Sequence, residues 1–335
     1  MAETMAPTGF DLQAHRGGMG LTVENTLAAF ATALEIGVTT LELDVQVTRD
    51  GHVVVAHDRD PSPATCLDTG PAFEGDPAYP YVLPDTHIVD LTLAQVRTID
   101  CGSLRHPSFP SQRLSPGARI PLLTEVFELV RERGADVWFS IEAKVEAATP
   151  ERTAPRERFV DALVGEVHAA GMVGRVMVQS FDWGALMRVR EVEPRLPLVA
   201  LTNGRHFLQP DLPGRSPWLG GLDIDDFPGT LQERYVAAAA SFGADAVSPV
   251  HGDPQRSTVR DPAYVPFTNE VLVETAHRAG MRVVPWTVDA PETLAALIDL
   301  GVDGVVTNRP DVARTVLAER GMDLPPAYDA ATGPG

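Results

Sequence analysis

Lys144 is the single lysine among the 27 Lys and Arg residues of the chain. A compact ammonium on a flexible stem does not replace a planar guanidinium fork freely, so the lone lysine is the first candidate for a functional residue, against the alternative of a leftover surface lysine. It ends the stretch Trp138-Phe-Ser-Ile-Glu-Ala-Lys144, whose two-residue alternation is that of a strand and sets Glu142 and Lys144 on one face. Further upstream, Leu41-Glu-Leu-Asp-Val-Gln-Val-Thr-Arg-Asp-Gly-His-Val-Val-Val-Ala-His-Asp58 reads as two β-rich arms around a two-residue Asp50-Gly51 turn. Asp44 lies six residues before Asp50 and His57 six after Gly51, so a tight hairpin sets them opposite each other, with Glu42 on the same face. Glu42, Asp44 and Glu142 together suit one hard divalent cation, Mg²⁺ or Ca²⁺; the cysteines lie elsewhere, which argues against a soft-metal site. His15 and His57 offer acid/base groups near neutrality, and Arg16 and Lys144 offer charge to an anion.

Eight strand patterns can position these groups: Phe10 to Ala14, Thr40 to Val47, Asp136 to Glu142, Arg175 to Gln179, Leu198 to Leu201, Asp245 to Ser248, Arg282 to Val288 and Gly304 to Thr307. Most precede a helical pattern, as Asp136 to Glu142 precedes Arg156 to Ala169. Such alternation predicts a parallel sheet, and eight units predict closure into a TIM (β/α)8 barrel. An open doubly wound sheet would usually carry a G-x-G-x-x-G loop after its first strand, and Ala14-His-Arg-Gly-Gly-Met-Gly20 lacks that pattern. In barrels, catalytic groups gather at the C-terminal strand ends. His15 and Arg16, Glu42 and Asp44, Glu142 and Lys144, and Gln179 and Ser180 fall at or near the ends of the first four strands. The Pro- and Gly-rich stretch 58–119, with one short helical pattern from Leu91 to Arg97, is expected as an insertion after the second strand and its hairpin, over the active-site end. Asn203 to Gly229 is expected to add to the same rim. The barrel is expected to occupy residues 10–319, and 320–335 to form an irregular, frayed tail.

A net charge of -19 and a pI near 4.8 argue against a nucleic-acid partner, since phosphate backbones require a basic footprint. A small anionic substrate is compatible if a metal and a few cations reverse the field locally. No apolar run is long enough to span a bilayer. The N-terminal residues lack the basic start and apolar stretch of a secretory signal, which predicts a cytoplasmic protein unless a signal was removed before Met1. Cys66 and Cys101 allow one disulfide, although a cytoplasmic setting favours two reduced structural cysteines. The remaining histidines are expected in surface or structural roles, His251 included.

In order, His15-Arg16-Gly17, Glu24-Asn25-Thr26, Glu42-Leu-Asp44, His57-Asp58, Glu142-Ala-Lys144 and Trp286-Thr-Val288 resemble the motifs of the glycerophosphodiester phosphodiesterase family, over about Phe10 to Glu319. The resemblance implies a barrel enzyme that hydrolyses glycerophosphodiesters to an alcohol and glycerol 3-phosphate with one divalent metal. It implies Glu42, Asp44 and Glu142 as metal ligands, His15 and His57 as acid/base groups, and Arg16 and Lys144 as phosphate-facing cations. Trp286 matches an aromatic residue lining the pocket, and Gln179 is placed beside the site by strand order. Three departures stand out: Val23 where proline is frequent, Asp289 where asparagine is common, and the long stretch 58–119.

With His15 as base and His57 as acid, each imidazole contributes about 10²-fold or more; the reverse assignment is equally compatible with the residues. The nucleophile is water or the substrate's own 2-hydroxyl, the latter passing through a cyclic phosphate. A lysophospholipase D-like or cyclising phosphodiesterase would use the same set, and a non-catalytic phosphate-binding barrel would have lost part of it. The oligomeric state is not readable from the sequence.

Overall fold

The computed structural model describes residues 7–329. Its strands in chain order are β1 (Asp11–Ala14), β2 (Thr40–Val47), β3 (Val53–Val55), β4 (Leu67–Asp68), β5 (Ile99–Asp100), β6 (Trp138–Ala143), β7 (Val176–Ser180), β8 (Leu198–Thr202), β9 (Ala246–Pro249), β10 (Gly252–Asp253), β11 (Val265–Pro266), β12 (Arg282–Val283) and β13 (Gly304–Thr307). Eight of them form one parallel sheet in the order β12-β9-β8-β7-β6-β2-β1-β13. The ends of this path meet through Asp303 N–H to Val283 O (2.9 Å), Val306 N–H to Pro285 O (3.0 Å) and Val288 N–H to Val306 O (2.9 Å), which nearly closes the barrel. Helices α1 (Leu27–Ile36), α2 (Leu93–Val96), α3 (Leu123–Glu132), α4 (Arg156–Ala169), α5 (Trp183–Val192), α6 (Arg205–Leu208), α7 (Leu231–Ser241), α8 (Glu270–Arg278), α9 (Pro291–Leu300) and α10 (Pro310–Glu319) complete the chain, and all but α2 and α6 alternate with the barrel strands.

The main apolar core lies between strands and helices, where Leu12, Leu41, Leu43, Phe139, Ile141 and Val178 meet Phe30, Phe127, Phe159 and Leu186. The opposite face of the same strands points into the barrel. There Met177, Val199 and Ala246 form a small apolar plug, and Glu42, Asp44, Glu142 and Gln179 are buried above it. This division follows from two-residue periodicity: odd positions of β2 pack on helices and even positions carry the polar groups.

Two expected elements differ in detail. The seventh barrel strand, expected to run to Val288, is regular only over Arg282–Val283. Pro285 has no N–H to donate, and the chain beyond Val283 keeps its place through Val284 N–H to Val247 O and Trp286 N–H to Pro249 O, both 3.0 Å. The β2–β3 hairpin pairs Val45 with Val55 and Val47 with Val53, one residue out of the expected register. A two-residue turn would need positive φ at both Asp50 and Gly51, and only Gly51 (φ 90°) has it. The loop is therefore three residues, Arg49-Asp50-Gly51, closed by Thr48, whose hydroxyl accepts from His52 N–H (3.0 Å) and donates to Asp50 (2.7 Å). Ala56, not His57, lies opposite Asp44.

Residues 58–119 pack around their own apolar cluster of Tyr81, Val82, Ile88, Leu91, Val96 and Ile99, which rests on Val54 and Ile120. Antiparallel pairing of Leu67 with Asp100 and Asp68 with Ile99 makes Cys66 and Cys101 the next pair in register, and they form a disulfide. The expectation of two reduced cysteines is thus corrected. Its reason is the β4–β5 ladder, which sequence spacing did not reveal. A bond closing a separation of 35 residues restricts the unfolded chain, so replacing both cysteines by serine is expected to cost about 2–4 kcal/mol. Hydrogen exchange should show the loss concentrated in residues 58–119.

At the other end of the chain, residues 322–328 have no regular structure but are tied down: Tyr328 N–H donates to Leu34 O (2.8 Å) and Arg314 holds Pro325 O. Residues 330–335 of the expected tail lie outside the described residues. Among the described residues no helix is long and apolar enough to cross a membrane.

Candidate active site

The C-terminal ends of β1, β2, β6 and β7 bring the polar groups together. Parallel register sets Asp44 beside Glu142 and Glu142 beside Gln179, so that one layer of the barrel carries the acidic groups of two strands. Glu42, Asp44 and Glu142 each offer an oxygen within 4.8 Å of the others. Around them, Gln179 Nε2 donates to Glu42 Oε1 (2.7 Å) and Asn25 Nδ2 to Asp44 Oδ2 (3.0 Å). Arg16 Nε lies 3.2 Å from Asp44 Oδ2. Lys144 Nζ stands 2.8 Å from Glu142 Oε1 and 3.7 Å from Asp44 Oδ1.

The turn after β1 is built for this convergence. Arg16 (φ 51°) and Asn25 (φ 53°) both adopt the left-handed region, at a cost of roughly 1 kcal/mol each for a side-chain-bearing residue. They hold each other: Asn25 N–H donates to Arg16 O (3.0 Å), while Arg16 N–H donates to Glu42 Oε2 (2.9 Å). Gly17 follows at φ 79°, and a Cβ there would lie 2.8 Å from Ala29 at the start of α1, so only glycine lets the turn settle on the helix.

Charge and burial oppose each other strongly here. Burial and the neighbouring Asp44 and Glu142 push the Glu42 carboxyl well above its ordinary range. Burial pushes Glu142 up to about 7 against the pull of Lys144. Burial works against ionising Asp44 too, but Arg16, His57 and Lys144 prevail and hold its pKa far below normal. Asp44 Oδ1 is buried and without a hydrogen-bond donor. An acceptor-only oxygen with no donor, between two carboxyls that resist ionising beside it, is an arrangement that a hard divalent cation satisfies.

Two imidazoles flank the cluster. His15 Nδ1 lies 2.6 Å from Asn308 Oδ1, and His57 Nδ1 lies 2.7 Å from Asp58 Oδ1. Burial, then the charge of Arg16, lowers the His15 pKa to about 3; burial, Arg16 and Lys144 lower that of His57. The hydrogen bond from His57 keeps Asp58 ionised. Despite the shifted hairpin register, His57, just beyond the end of β3, lines the site cavity. Asp289 is not a free anion at the rim: it accepts from Asn308 N–H (2.8 Å), Asn308 Nδ2 (2.7 Å) and the Thr307 hydroxyl (3.2 Å). His251 is buried with its ring nitrogens on the Tyr264 hydroxyl (3.0 Å) and Gln255 O (2.8 Å), and it lines a second cavity that His15, Arg16 and His57 also border.

All nine expected site residues lie at this end of the barrel, and His15, Arg16, Glu42, His57, Glu142, Lys144, Gln179 and Trp286 line one cavity of about 240 Å³. Asp44 sits just beneath it. Trp286 is fixed by Nε1–H to Ser248 O (3.0 Å) and meets Phe181 edge-on at 5.5 Å. Asn308 and Phe181 escaped the sequence reading, and Asp58 entered it only within the His57-Asp58 motif, without a role. Asn308 had one available signal, its place just after the last strand. Beside His57 the cavity opens into a groove of about 590 Å³. Phe181, Phe207 and Trp218 form its wall, with centroid separations of 4.8 and 4.4 Å, and Asp58, Arg59, Asp60 and Glu146 lie along it.

Eight parallel strands ringed by helices thus carry a buried acidic cluster and two histidines at their C-terminal ends. Residues 15–312 match the Glycerophosphoryl diester phosphodiesterase family, and the chain belongs to it as a phosphoric diester hydrolase. A glycerophosphodiester phosphodiesterase of Caldanaerobacter subterraneus subsp. tengcongensis is 27% identical over 308 residues, covering 92% of this chain and 98% of that relative. A solved structure from Silicibacter pomeroyi DSS-3, provisionally assigned as a glycerophosphoryl diester phosphodiesterase, is 28% identical with a TM-score of 0.74, covering 95% of this chain and 96% of that one. An Oleispira antarctica phosphodiesterase solved with sn-glycerol-3-phosphate shares the fold at 18% identity and a TM-score of 0.63, over 92% and 97% of the two chains.

Proposed function

We propose that the protein hydrolyses glycerophosphodiesters to an alcohol and glycerol 3-phosphate, with one divalent cation, Mg²⁺ or Ca²⁺, held by Glu42, Asp44 and Glu142. The observation that carries this reading is the convergence of the three carboxylates, within 4.8 Å, with both histidines and both cations around one cavity. When bound, the metal would supply charge neutralisation at the phosphoryl oxygens. Arg16 and Lys144 add fixed positive charge at the same place, a preorganised contribution of the kind that dominates such reactions. His15 acts as general base on the attacking oxygen and His57 as general acid on the leaving one. Gln179 orients Glu42, and Trp286 packs against the glycerol moiety. We propose residues 10–319 as the catalytic unit, with 58–119 shaping the leaving-group side.

The groove beside His57 favours this reading over a lysophospholipase D-like one. It sets the charged groups Asp58, Arg59, Asp60 and Glu146 among apolar ones that include Leu83, Val145, Phe181, Phe207 and Trp218, and laying an acyl chain against those charges is costlier than placing a polar alcohol there. Glycerophosphocholine and lysophosphatidylcholine, offered separately and followed by phosphorus NMR, test the proposal. The expected result is glycerol 3-phosphate from the first, no cyclic phosphate accumulating, and at least about 10²-fold slower turnover of the second, the equivalent of about 2.7 kcal/mol in barrier. Preferential turnover of lysophosphatidylcholine would replace this reading with its rival.

A further inference from the structure

The two histidines differ in what stands behind them. Asn308, at the C-terminal end of β13, is 7% exposed, and its amide has one accepting and one donating end. Which end faces which neighbour is decided by Asp289. That carboxylate receives the Thr307 hydroxyl, Asn308 N–H and the Asn308 amide at 2.7 Å, and a carboxylate in this setting only accepts, so the amide nitrogen must face it. The amide oxygen is then turned to His15 Nδ1 at 2.6 Å, and because that oxygen can only accept, the ring proton belongs on Nδ1. His57 has the Asp58 carboxylate at the corresponding nitrogen.

We infer that Asn308, clamped by Asp289, is the positioning residue that holds His15 as the Nδ1–H tautomer, leaving the Nε2 lone pair as the proton acceptor of the reaction. The amide oxygen orients the ring without adding charge; a carboxylate at the same place would still fix the Nδ1 proton but raise the share of imidazolium, which has no lone pair to offer. In the step, the nucleophile's O–H passes its proton to His15 Nε2 as its oxygen bonds to phosphorus. The phosphorus–oxygen bond to the leaving alcohol breaks, and that oxygen takes a proton from His57. The base role rests on the hydrolytic reading above; the tautomer does not.

Nitrogen-15 NMR of histidine-labelled protein reads the tautomer without substrate. The wild-type His15 ring is expected to show a protonated Nδ1 and an unprotonated Nε2. Asn308→Leu, close in volume but unable to accept, should give mixed tautomers and lower kcat by about 10- to 30-fold with KM changed less than about twofold. The exchange pair Asp289→Asn with Asn308→Asp restores an acceptor to Nδ1 and a donor to the facing carboxylate, and should return the ring to Nδ1–H with kcat above that of Asn308→Leu. Thermal unfolding of each variant separates misfolding from tautomer loss, and if Asn308→Leu does not fold, the wild-type spectrum and the exchange pair decide. An Nε2–H wild-type ring, an unaltered ring spectrum in folded Asn308→Leu, mixed tautomers with undiminished kcat, or a folded exchange pair that stays mixed would each overturn the inference. If the wild-type protein turns over no glycerophosphodiester, the hydrolytic reading fails, and the ring spectrum still decides the tautomer.

Discussion

His57→Ala is expected to lower kcat on a glycerophosphodiester by about 10²- to 10⁴-fold while leaving divalent-cation affinity within about twofold of wild type. The split follows from position. His57 follows β3, lines the cavity beside the acidic cluster and presents Nδ1 to Asp58 at 2.7 Å, and its side chain is 31% exposed, so truncation removes the proposed acid without collapsing a core. It stands outside the Glu42, Asp44 and Glu142 cluster whose oxygens lie within 4.8 Å. Its charge does reach Asp44, but Arg16 is the larger influence on that carboxyl and remains in place. Steady-state kinetics together with calorimetric titration of Mg²⁺ or Ca²⁺ measure the two effects separately. Parallel loss of both would make His57 a ligand or a prop of the cluster.

Lys144→Arg should reduce kcat/KM by about 10²-fold although the charge is conserved, a loss of about 2.7 kcal/mol in transition-state stabilisation. Lys144 Nζ reaches Glu142 at 2.8 Å and Asp44 at 3.7 Å and lies 5.9 Å from the centre of the Phe181 ring, with 17% of the side chain exposed. A guanidinium fork is broader than an ammonium and does not reproduce its single-point contacts to Glu142 and Asp44. On the side of Phe181 it meets a ring braced between Trp286 at 5.5 Å and Phe207 at 4.8 Å. Kinetics with a parallel thermal unfolding curve check the prediction. Unimpaired turnover would mean that charge alone is required at position 144.

Much of this was legible because barrel chemistry is written at strand ends. Glu142 and Lys144 could be found from local alternation, Glu42 and Asp44 from the hairpin arms and His15 from its place at the end of the first strand, and the structure brings them together. Features fixed by long-range partners were not legible. The hairpin register turned on the φ of Asp50, which a two-residue turn would have needed to be positive. The Cys66–Cys101 bond depended on the short β4–β5 ladder inside a stretch with little periodic signal. Asn308 sits 293 residues from the histidine it contacts, and its role follows from Asp289, whose own meaning changes once its three donors are seen. Pro285 ended the seventh strand's regular ladder early while leaving Trp286 in place through its bond to Pro249.

The acidic cluster is the centre of the account, and metal-stripped enzyme titrated with Mg²⁺ or Ca²⁺ tests it most directly. Glycerophosphodiester hydrolysis should be lost on chelation and return with one equivalent of cation, and Asp44→Asn should abolish both binding and recovery. Hydrolysis that persists in the presence of chelator, or a Glu42, Asp44 and Glu142 cluster that binds no divalent cation, would contradict it.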